Sequence, residues 1–127
     1  MRILLVENDE LLGECIRCGL SYYRYDVEWI KDGSEAWRVL QTKYFDMVIL
    51  DFDLLESSCE EVLKNMRLNG ITTPAIIMSS NCDIHNCVKW LDVGYDYVSK
   101  PFEIEKLCAR IRVVHKRTAQ KRGGRTG

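Results

Sequence analysis

The sequence contains no apolar run that approaches the roughly 20 residues needed by a membrane-spanning helix. We also expect no secretion, because Met1 and Arg2 lead directly into a short apolar segment at residues 3–6 that an acid ends. The length of 127 residues suits one globular domain and leaves no room for a second full domain. We therefore expect a single cytoplasmic domain with no membrane partner.

Acidic residues are missing from the C-terminal end of the chain. Residues 106–127 hold eight of the 18 Lys and Arg residues and none of the 19 Asp and Glu residues. Residues 1–105 hold the other ten bases and all the acids, so their net charge is −9. A helix with a basic end that continues into a solvated linker explains this pattern, and a contact with nucleic acid is the alternative. We interpret residues 1–115 as the folded domain and residues 116–127 as a basic, flexible tail or linker.

The six cysteines lack the setting of a disulfide framework, since a chain of this length can bury its own core and carries no export signal. We expect them to be reduced thiols. Cys15 and Cys18 are spaced like a metal-binding or redox pair, but no histidine lies near them. Their helical spacing with Leu11 and Leu12 predicts instead that both cysteines pack into the core.

Short apolar runs alternate five times with longer segments in which apolar residues recur at helical spacing. The first, third and fourth runs are almost wholly apolar, which is typical of parallel strands buried on both faces. Right-handed crossovers between such strands predict an α/β fold, a doubly wound, five-stranded parallel sheet with five helices on both faces. The runs lie at residues 3–6, 25–30, 47–50, 75–78 and around 97–98.

Polar residues follow the predicted strands at the points where the strands end. In an open parallel sheet, ligands bind outside the carboxyl ends of the strands, so these residues are candidates for one shared site. They are Glu7, Asn8 and Asp9 after the first strand, Asp51 and Asp53 after the third, Ser79 and Ser80 after the fourth, and Ser99 and Lys100 after the fifth.

The chemistry of these residues favours phosphoryl transfer. The sequence has no glycine-rich phosphate-binding loop, which argues against a bound nucleotide. Several carboxylates at one edge repel one another unless a cation lies among them, and hard oxygen ligands suit Mg²⁺. Asp51 can then act as a nucleophile and form an acyl phosphate. Lys100 would supply positive charge to the phosphoryl oxygens, and Ser79 would donate a hydrogen bond to the same group.

Six stretches of the sequence, taken together and in order, resemble the receiver domain of two-component response regulators. The resemblance covers roughly residues 1–115, and its last stretch is similar to the ending of the OmpR/PhoB type. The stretches are ILLVEND at 3–9, DGSEA at 32–36, DMVILD at 46–51, PAIIMS at 74–79, KPF at 100–102 and LCARIR at 107–112.

The resemblance implies a fold and a phosphorylation site. It implies the flavodoxin-like strand order 2-1-3-4-5, a cis Lys100–Pro101 peptide bond, and transfer of a phosphoryl group from a sensor histidine kinase to Asp51. Ser79 and Tyr97 would form a switch that reads the phosphoryl group. The implied ligands of Mg²⁺ are Glu7, Asn8, Asp51 and the main-chain carbonyl of Asp53.

The resemblance also implies partners. The switch would reshape the face made by the fourth helix, the fifth strand and the fifth helix, and this face would form a symmetric homodimer. Asp92 with Arg112 and Asp96 with Arg110 would form ion pairs across that dimer. A third pair found in the OmpR/PhoB type cannot form, because Cys87 and Lys106 replace its members. DNA would be bound only by a C-terminal effector domain that this chain does not contain.

Three residues depart from the family pattern. Asn8 stands where an acid usually ligates Mg²⁺, Leu55 replaces a proline, and Cys59 stands where a glycine usually lets the loop turn. They leave open a pseudo-receiver that binds a protein partner without phosphorylation. A second alternative is a small phosphatase similar to haloacid dehalogenases, in which Asp51 attacks and Asp53 serves as general acid and base. Our principal expectation is a signalling phospho-acceptor that is not an enzyme.

Overall fold

A computed structural model describes residues 1–53, 56–80 and 95–124, with the side chains of residues 56–58 and 119–124 outside that description. The five strands are β1 (Arg2–Val6), β2 (Asp26–Ile30), β3 (Met47–Asp51), β4 (Ala75–Ser79) and β5 (Asp96–Ser99). Within the described ranges the helices are α1 (Glu10–Tyr22), α2 (Gly33–Thr42), α3 (Glu56–Leu68) and α4 (Ile104–Gly124).

The strands form one parallel sheet in the order β2-β1-β3-β4-β5. This confirms the predicted doubly wound sheet and its strand order. The described ranges contain four helices, whereas five were predicted. The predicted helix between β4 and β5 falls on residues 81–94, outside the described residues, and the fifth predicted helix is α4. The Lys100–Pro101 peptide bond is cis, as expected.

The three central strands are buried on both faces because alternate side chains enter two separate cores. On one face, residues such as Leu4 and Val48 pack with the buried residues of α2 and α3. On the other face, Ile3 and Ile49 pack with those of α1 and α4. The helices cover the two faces of the sheet but not the carboxyl ends of the strands, and polar side chains lie at that edge.

Helix α1 begins directly beside that edge. Asp9 caps it, because its carboxylate accepts the backbone N–H of Leu12 at 3.0 Å. The helix buries Gly13, Ile16 and Leu20 against the sheet.

The prediction that Cys15 and Cys18 pack into the core is wrong, because both are exposed. The predicted apolar face was placed on the wrong side of α1, and Leu11 on that side is 78% exposed. The true buried face passes through Gly13, a residue that a search for large apolar side chains does not count.

The C-terminal helix is longer than the sequence analysis expected. The interpretation of residues 116–127 as a basic, flexible tail or linker stays a prediction, but helix α4 continues through Gly124, so the backbone of residues 116–124 is helical. The reason is local, since residues 116–122 contain no proline or glycine and are rich in Lys, Arg, Gln and Ala, which are good helix formers. The domain boundary at residue 115 stays a prediction.

A search of the described residues found no helix both long enough and apolar enough to span a bilayer.

A close contact between α1 and β2 lies behind the acidic edge. A Cβ atom added at Gly13 would lie 2.2 Å from Cζ2 of Trp29 and 2.8 Å from its Nε1. The same indole N–H donates to the main-chain carbonyl of Glu7 at 2.9 Å. Gly13 therefore provides the space in which Trp29 holds the backbone immediately after β1.

We expect Gly13→Ala to destabilise the domain by about 1–3 kcal/mol, because the rigid indole cannot move away from the added methyl group. Urea unfolding would measure the change. Gly19→Ala is the comparison variant in the same helix, since the three atoms nearest to its Cβ would belong to the Ile104 side chain, at 2.8–2.9 Å, and not to an indole. Equal losses for the two variants would contradict the assignment to Trp29.

Candidate functional site

The predicted site residues converge at the carboxyl edge of the sheet. Asp51 is the last residue of β3 and Ser79 is the last residue of β4, whereas Glu7 follows β1 and Lys100 follows β5. The ends are joined through the backbone, since the Lys100 N–H donates to the Ser79 carbonyl at 2.9 Å. The sequence prediction of one shared edge is therefore confirmed for these four residues.

Lys100 links two carboxylates of this edge. Its Nζ lies 2.8 Å from Oδ2 of Asp51, which is fully buried, and 3.2 Å from Oδ2 of Asp53. Burial of the ammonium acts to lower the pKa of Lys100, but the neighbouring carboxylates of Asp51, Glu7 and Asp53 raise it above its ordinary value. Lys100 therefore stays charged at neutral pH and compensates the buried negative charge.

The backbone around Asp51 fixes its carboxylate. Oδ1 accepts the N–H of Asp53 at 2.9 Å, while Oδ2 receives Lys100. Both oxygens are thus oriented before any ligand arrives.

Cys59, one of the departures from the family pattern, contacts the backbone of Asp51. It is buried inside α3, and its thiol donates to the main-chain carbonyl of Asp51 at 3.1 Å. Burial and the nearby carboxylates of Asp51 and Glu7 raise the pKa of Cys59 to about 12, so the thiol stays protonated. Leu55, the second departure, lies outside the described residues.

Glu7 is the least satisfied group of the site. Its side chain is fully buried, Oε1 accepts the N–H of Asp9 at 3.0 Å, and Oε2 has no donor among the described residues. Burial and the adjacent Asp51 carboxylate, which can accept a hydrogen bond from the protonated form, raise the pKa of Glu7 from 4.5 to about 8. Without a further cation, Glu7 therefore retains its proton at neutral pH.

These residues fit a magnesium ion. The unpaired Oε2 of Glu7 and the Asp51 carboxylate are hard oxygen donors, and Mg²⁺ typically binds one or two protein carboxylates and retains several waters. In the described part of the chain, no three His, Cys, Asp or Glu side chains form a complete metal cluster. Asn8 is exposed and adds no charge. The ligand roles of Asn8 and of the Asp53 carbonyl stay predictions.

The side chain of Asp53 makes contacts that the sequence analysis missed. Its Oδ1 accepts the Ser79 hydroxyl at 2.8 Å, and the Ser80 N–H lies 2.9 and 3.1 Å from its two oxygens. The sequence contained a signal for these contacts, namely an acid two residues after β3 and two serines after the neighbouring β4.

The predicted switch and dimer residues are found on and beside β5. Tyr97 is half-buried and packs against the core under α2 and α3. Arg110 donates from Nε and Nη2 to both oxygens of the buried Asp96, at 2.7 and 2.8 Å. The resemblance implied a pair between these residues across a dimer; they pair within one chain, and their dimer contact stays a prediction. Arg112 is exposed, and its expected partner Asp92 lies outside the described residues.

The raised pKa of Glu7 leads to a prediction about stability in metal-free buffer. The folded chain binds this proton more tightly than the unfolded chain, so the contribution of Glu7 is fully present below pH 4.5 and is lost as the pH rises towards 8. Glu7→Gln cannot ionise and avoids this loss. Relative to wild type, we expect it to gain up to a few kcal/mol of unfolding free energy between pH 5 and 8.

Urea unfolding of both proteins in EDTA at a series of pH values measures this gain. Titrating groups remote from Glu7 are common to the two proteins and cancel in the difference, whereas Asp51 and Lys100 interact with Glu7 and titrate together with it. A difference that does not change with pH would contradict the prediction.

Comparisons with known proteins agree with this geometry. The chain is 41% identical over 119 residues to the response regulator protein PmrA of Pseudomonas aeruginosa, covering 93% of this chain and 54% of the relative. It is 34% identical over 119 residues to the transcriptional regulatory protein QseB of Escherichia coli O157:H7, with the same coverage. The chain thus spans about half the length of these two curated relatives.

Solved structures show the same fold. The receiver domain of the Francisella response regulator 1452 is 29% identical and superposes with a TM-score of 0.84, covering 92% of this chain and 98% of that one. The signal receiver domain of a LuxO repressor protein from Vibrio parahaemolyticus is 26% identical, with a TM-score of 0.86 and coverage of 94% and 93%. A family comparison matches the response regulator receiver domain over residues 3–112. The chain belongs to the receiver domain family of two-component response regulators, with relatives of the OmpR/PhoB type.

Proposed function

We propose that Asp51 accepts a phosphoryl group from the phosphohistidine of a sensor kinase. The observation that carries the proposal is the ion pair at the end of β3, where Lys100 Nζ lies 2.8 Å from Oδ2 of the buried Asp51. An ammonium held at that position can stabilise the negative charge that develops on the transferred oxygens. Response regulators interact with sensor histidine kinases, which supports this choice of donor.

The transfer requires a carboxylate that is already oriented. A bond forms between a carboxylate oxygen of Asp51 and phosphorus, while the bond from phosphorus to the kinase imidazole breaks and its electron pair stays with the imidazole nitrogen. The Asp53 N–H and Lys100 hold the carboxylate during this step. These two contacts need not be assembled for the attack, because both exist in the unphosphorylated chain.

Receiver domains generally bind Mg²⁺ at this acidic pocket. Here Glu7, Asn8, Asp51 and the main-chain carbonyl of Asp53 would hold the ion. When bound, it neutralises negative charge among the carboxylates and the phosphoryl oxygens. Its binding would also favour loss of the proton from Glu7, since Oε2 lacks another partner.

The output of the domain would follow from Ser79 and Tyr97. The phosphoryl group would draw the Ser79 hydroxyl towards it, and Tyr97 would change the face made by the predicted fourth helix, β5 and α4, the predicted fifth helix. Response regulators often dimerise, and the dimer residues would be Asp92, Asp96, Arg110 and Arg112. Binding to DNA would belong to an effector domain beyond these residues, as the names of the longer transcriptional regulators suggest. The domain is thus a signalling component and not an enzyme that turns over a substrate.

A phosphorylation-independent pseudo-receiver is the second candidate, and Asn8 is the observation that favours it. Its neutral side chain leaves the pocket one carboxylate short of the usual family pattern. The phosphatase alternative has less support, because the Asp53 carboxylate already accepts Ser79 and Ser80 and pairs with Lys100.

Incubation with acetyl phosphate and Mg²⁺ should add one phosphoryl group to the wild-type chain, as measured by intact mass. In this reaction the bond between phosphorus and the acetate oxygen breaks and acetate leaves. Asp51→Ala should gain no mass, because it lacks the attacking oxygen. Asp46→Ala is the matched control, since this carboxylate lies at the opposite end of β3 and accepts only the Arg2 N–H in the described structure. It should be phosphorylated as wild type is, and an unmodified wild-type chain would contradict the proposal.

Asn8→Asp should increase the affinity for Mg²⁺ about tenfold, which corresponds to about 1.4 kcal/mol, because the added charge faces a hard cation. Isothermal titration with MgCl₂ would measure the change. Asn8→Ala, which removes the amide oxygen, is the control and should bind no more tightly than wild type. An unchanged affinity in Asn8→Asp would show that residue 8 does not contact the ion.

A further inference from the structure

The carboxylate of Asp53 connects two loops of the pocket. It receives the hydroxyl of Ser79 and the N–H of Ser80, both of which follow from β4, although its own backbone follows β3. It also lies 3.2 Å from Lys100, and its side chain is only 21% exposed. Burial acts to raise the pKa of Asp53, but these donors outweigh it and lower the pKa, so the carboxylate is ionised at neutral pH.

Two of these contacts involve groups that the phosphorylated state would need. A hydroxyl has one hydrogen, so Ser79 cannot donate to a phosphoryl group while it donates to Asp53. Lys100 has three hydrogens to donate, but its single positive charge is shared between Asp51 and Asp53. An acyl phosphate on Asp51 would bring close to two negative charges next to the charge of Asp53.

We infer that Asp53 is a positioning residue that holds the pocket in its unphosphorylated arrangement by competing with the phosphoryl group for the Ser79 hydroxyl and the Lys100 ammonium. This inference rests on the proposed phosphorylation of Asp51. It assigns the Asp53 side chain a role separate from the main-chain carbonyl that is predicted to bind Mg²⁺. Phosphorylation then requires the Asp53–Ser79 hydrogen bond to break, which slows the reaction and favours its reversal.

Two variants separate the charge of Asp53 from its hydrogen bonds. Asp53→Asn keeps the shape and an acceptor oxygen for Ser79 but removes the charge, whereas Asp53→Ala removes both. We expect both variants to take up phosphate from acetyl phosphate about tenfold faster than wild type, or more. The loss of one charge-assisted hydrogen bond changes a rate or equilibrium constant by about tenfold or more, and this sets the lower end of the expected acceleration. Intact mass against time gives the rates, and the near-isosteric Asp53→Asn serves if Asp53→Ala does not fold.

A double-mutant comparison separates this role from a purely structural one, and a spectrum checks the hydrogen bond on which it depends. In the Ser79→Ala background, Asp53→Ala should accelerate phosphorylation less than it does in wild type, because the competing hydroxyl is already gone. In the unphosphorylated protein, the amide signal of Ser80 in a ¹⁵N–¹H spectrum should move in Asp53→Ala, since it loses its carboxylate acceptor.

The outcomes distinguish the inference from the proposed function. Faster uptake in both variants, with the smaller effect in Ser79→Ala, supports the inference. A wild-type chain that is phosphorylated, together with either Asp53 variant reacting at the wild-type rate or more slowly, overturns the inference and leaves Asp51 as the acceptor. No uptake by wild type or by either variant overturns the proposed function, and the inference with it.

Discussion

The contact between the Lys100 ammonium and the buried Asp51 carboxylate is the constraint on which the rest of the site depends. A carboxylate with no exposure to water is costly unless a partner compensates its charge and its remaining oxygen is hydrogen-bonded. Lys100 supplies the first requirement, and the Asp53 N–H supplies the second. The fold brings these groups together because β3 and β5 both end at the same edge, with β4 between them.

The same edge leaves one acid without full compensation. Lys100 lies between Asp51 and Asp53, while Glu7 is buried beside Asp51 with one oxygen that finds no partner among the described residues. One ammonium cannot satisfy three carboxylates in a small volume, so the pocket keeps a proton on Glu7 or takes up a cation. The neutral Asn8 reduces the negative charge that would attract that cation. Protonation and metal binding are therefore alternative ways of solving the same electrostatic problem.

Much of this arrangement could be predicted from the sequence, and the failures have physical causes. The apolar runs indicated the central strands, since β1, β3 and β4 are buried on both faces, and their ends located Glu7, Asp51 and Ser79, while the end of β5 located Lys100. The buried face of α1 was misplaced because it contains Gly13, whose small size matters only once Trp29 packs against it. The contacts of Asp53 and the intrachain Asp96–Arg110 pair depend on side-chain directions, which a pattern of residue types does not specify.

The indole of Trp29 joins the edge strand β2 to the backbone beside the acidic pocket through one hydrogen bond to the Glu7 carbonyl. The emission of an indole depends on the local electric field and on the hydrogen bond of its N–H group. Trp29 is only partly buried, and the ammonium of Lys31 lies 5.3 Å from its ring centroid. One of the three tryptophans of the chain is therefore hydrogen-bonded to the backbone of a pocket carboxyl residue, so the part of the intrinsic fluorescence that comes from Trp29 depends on the charge state of Glu7.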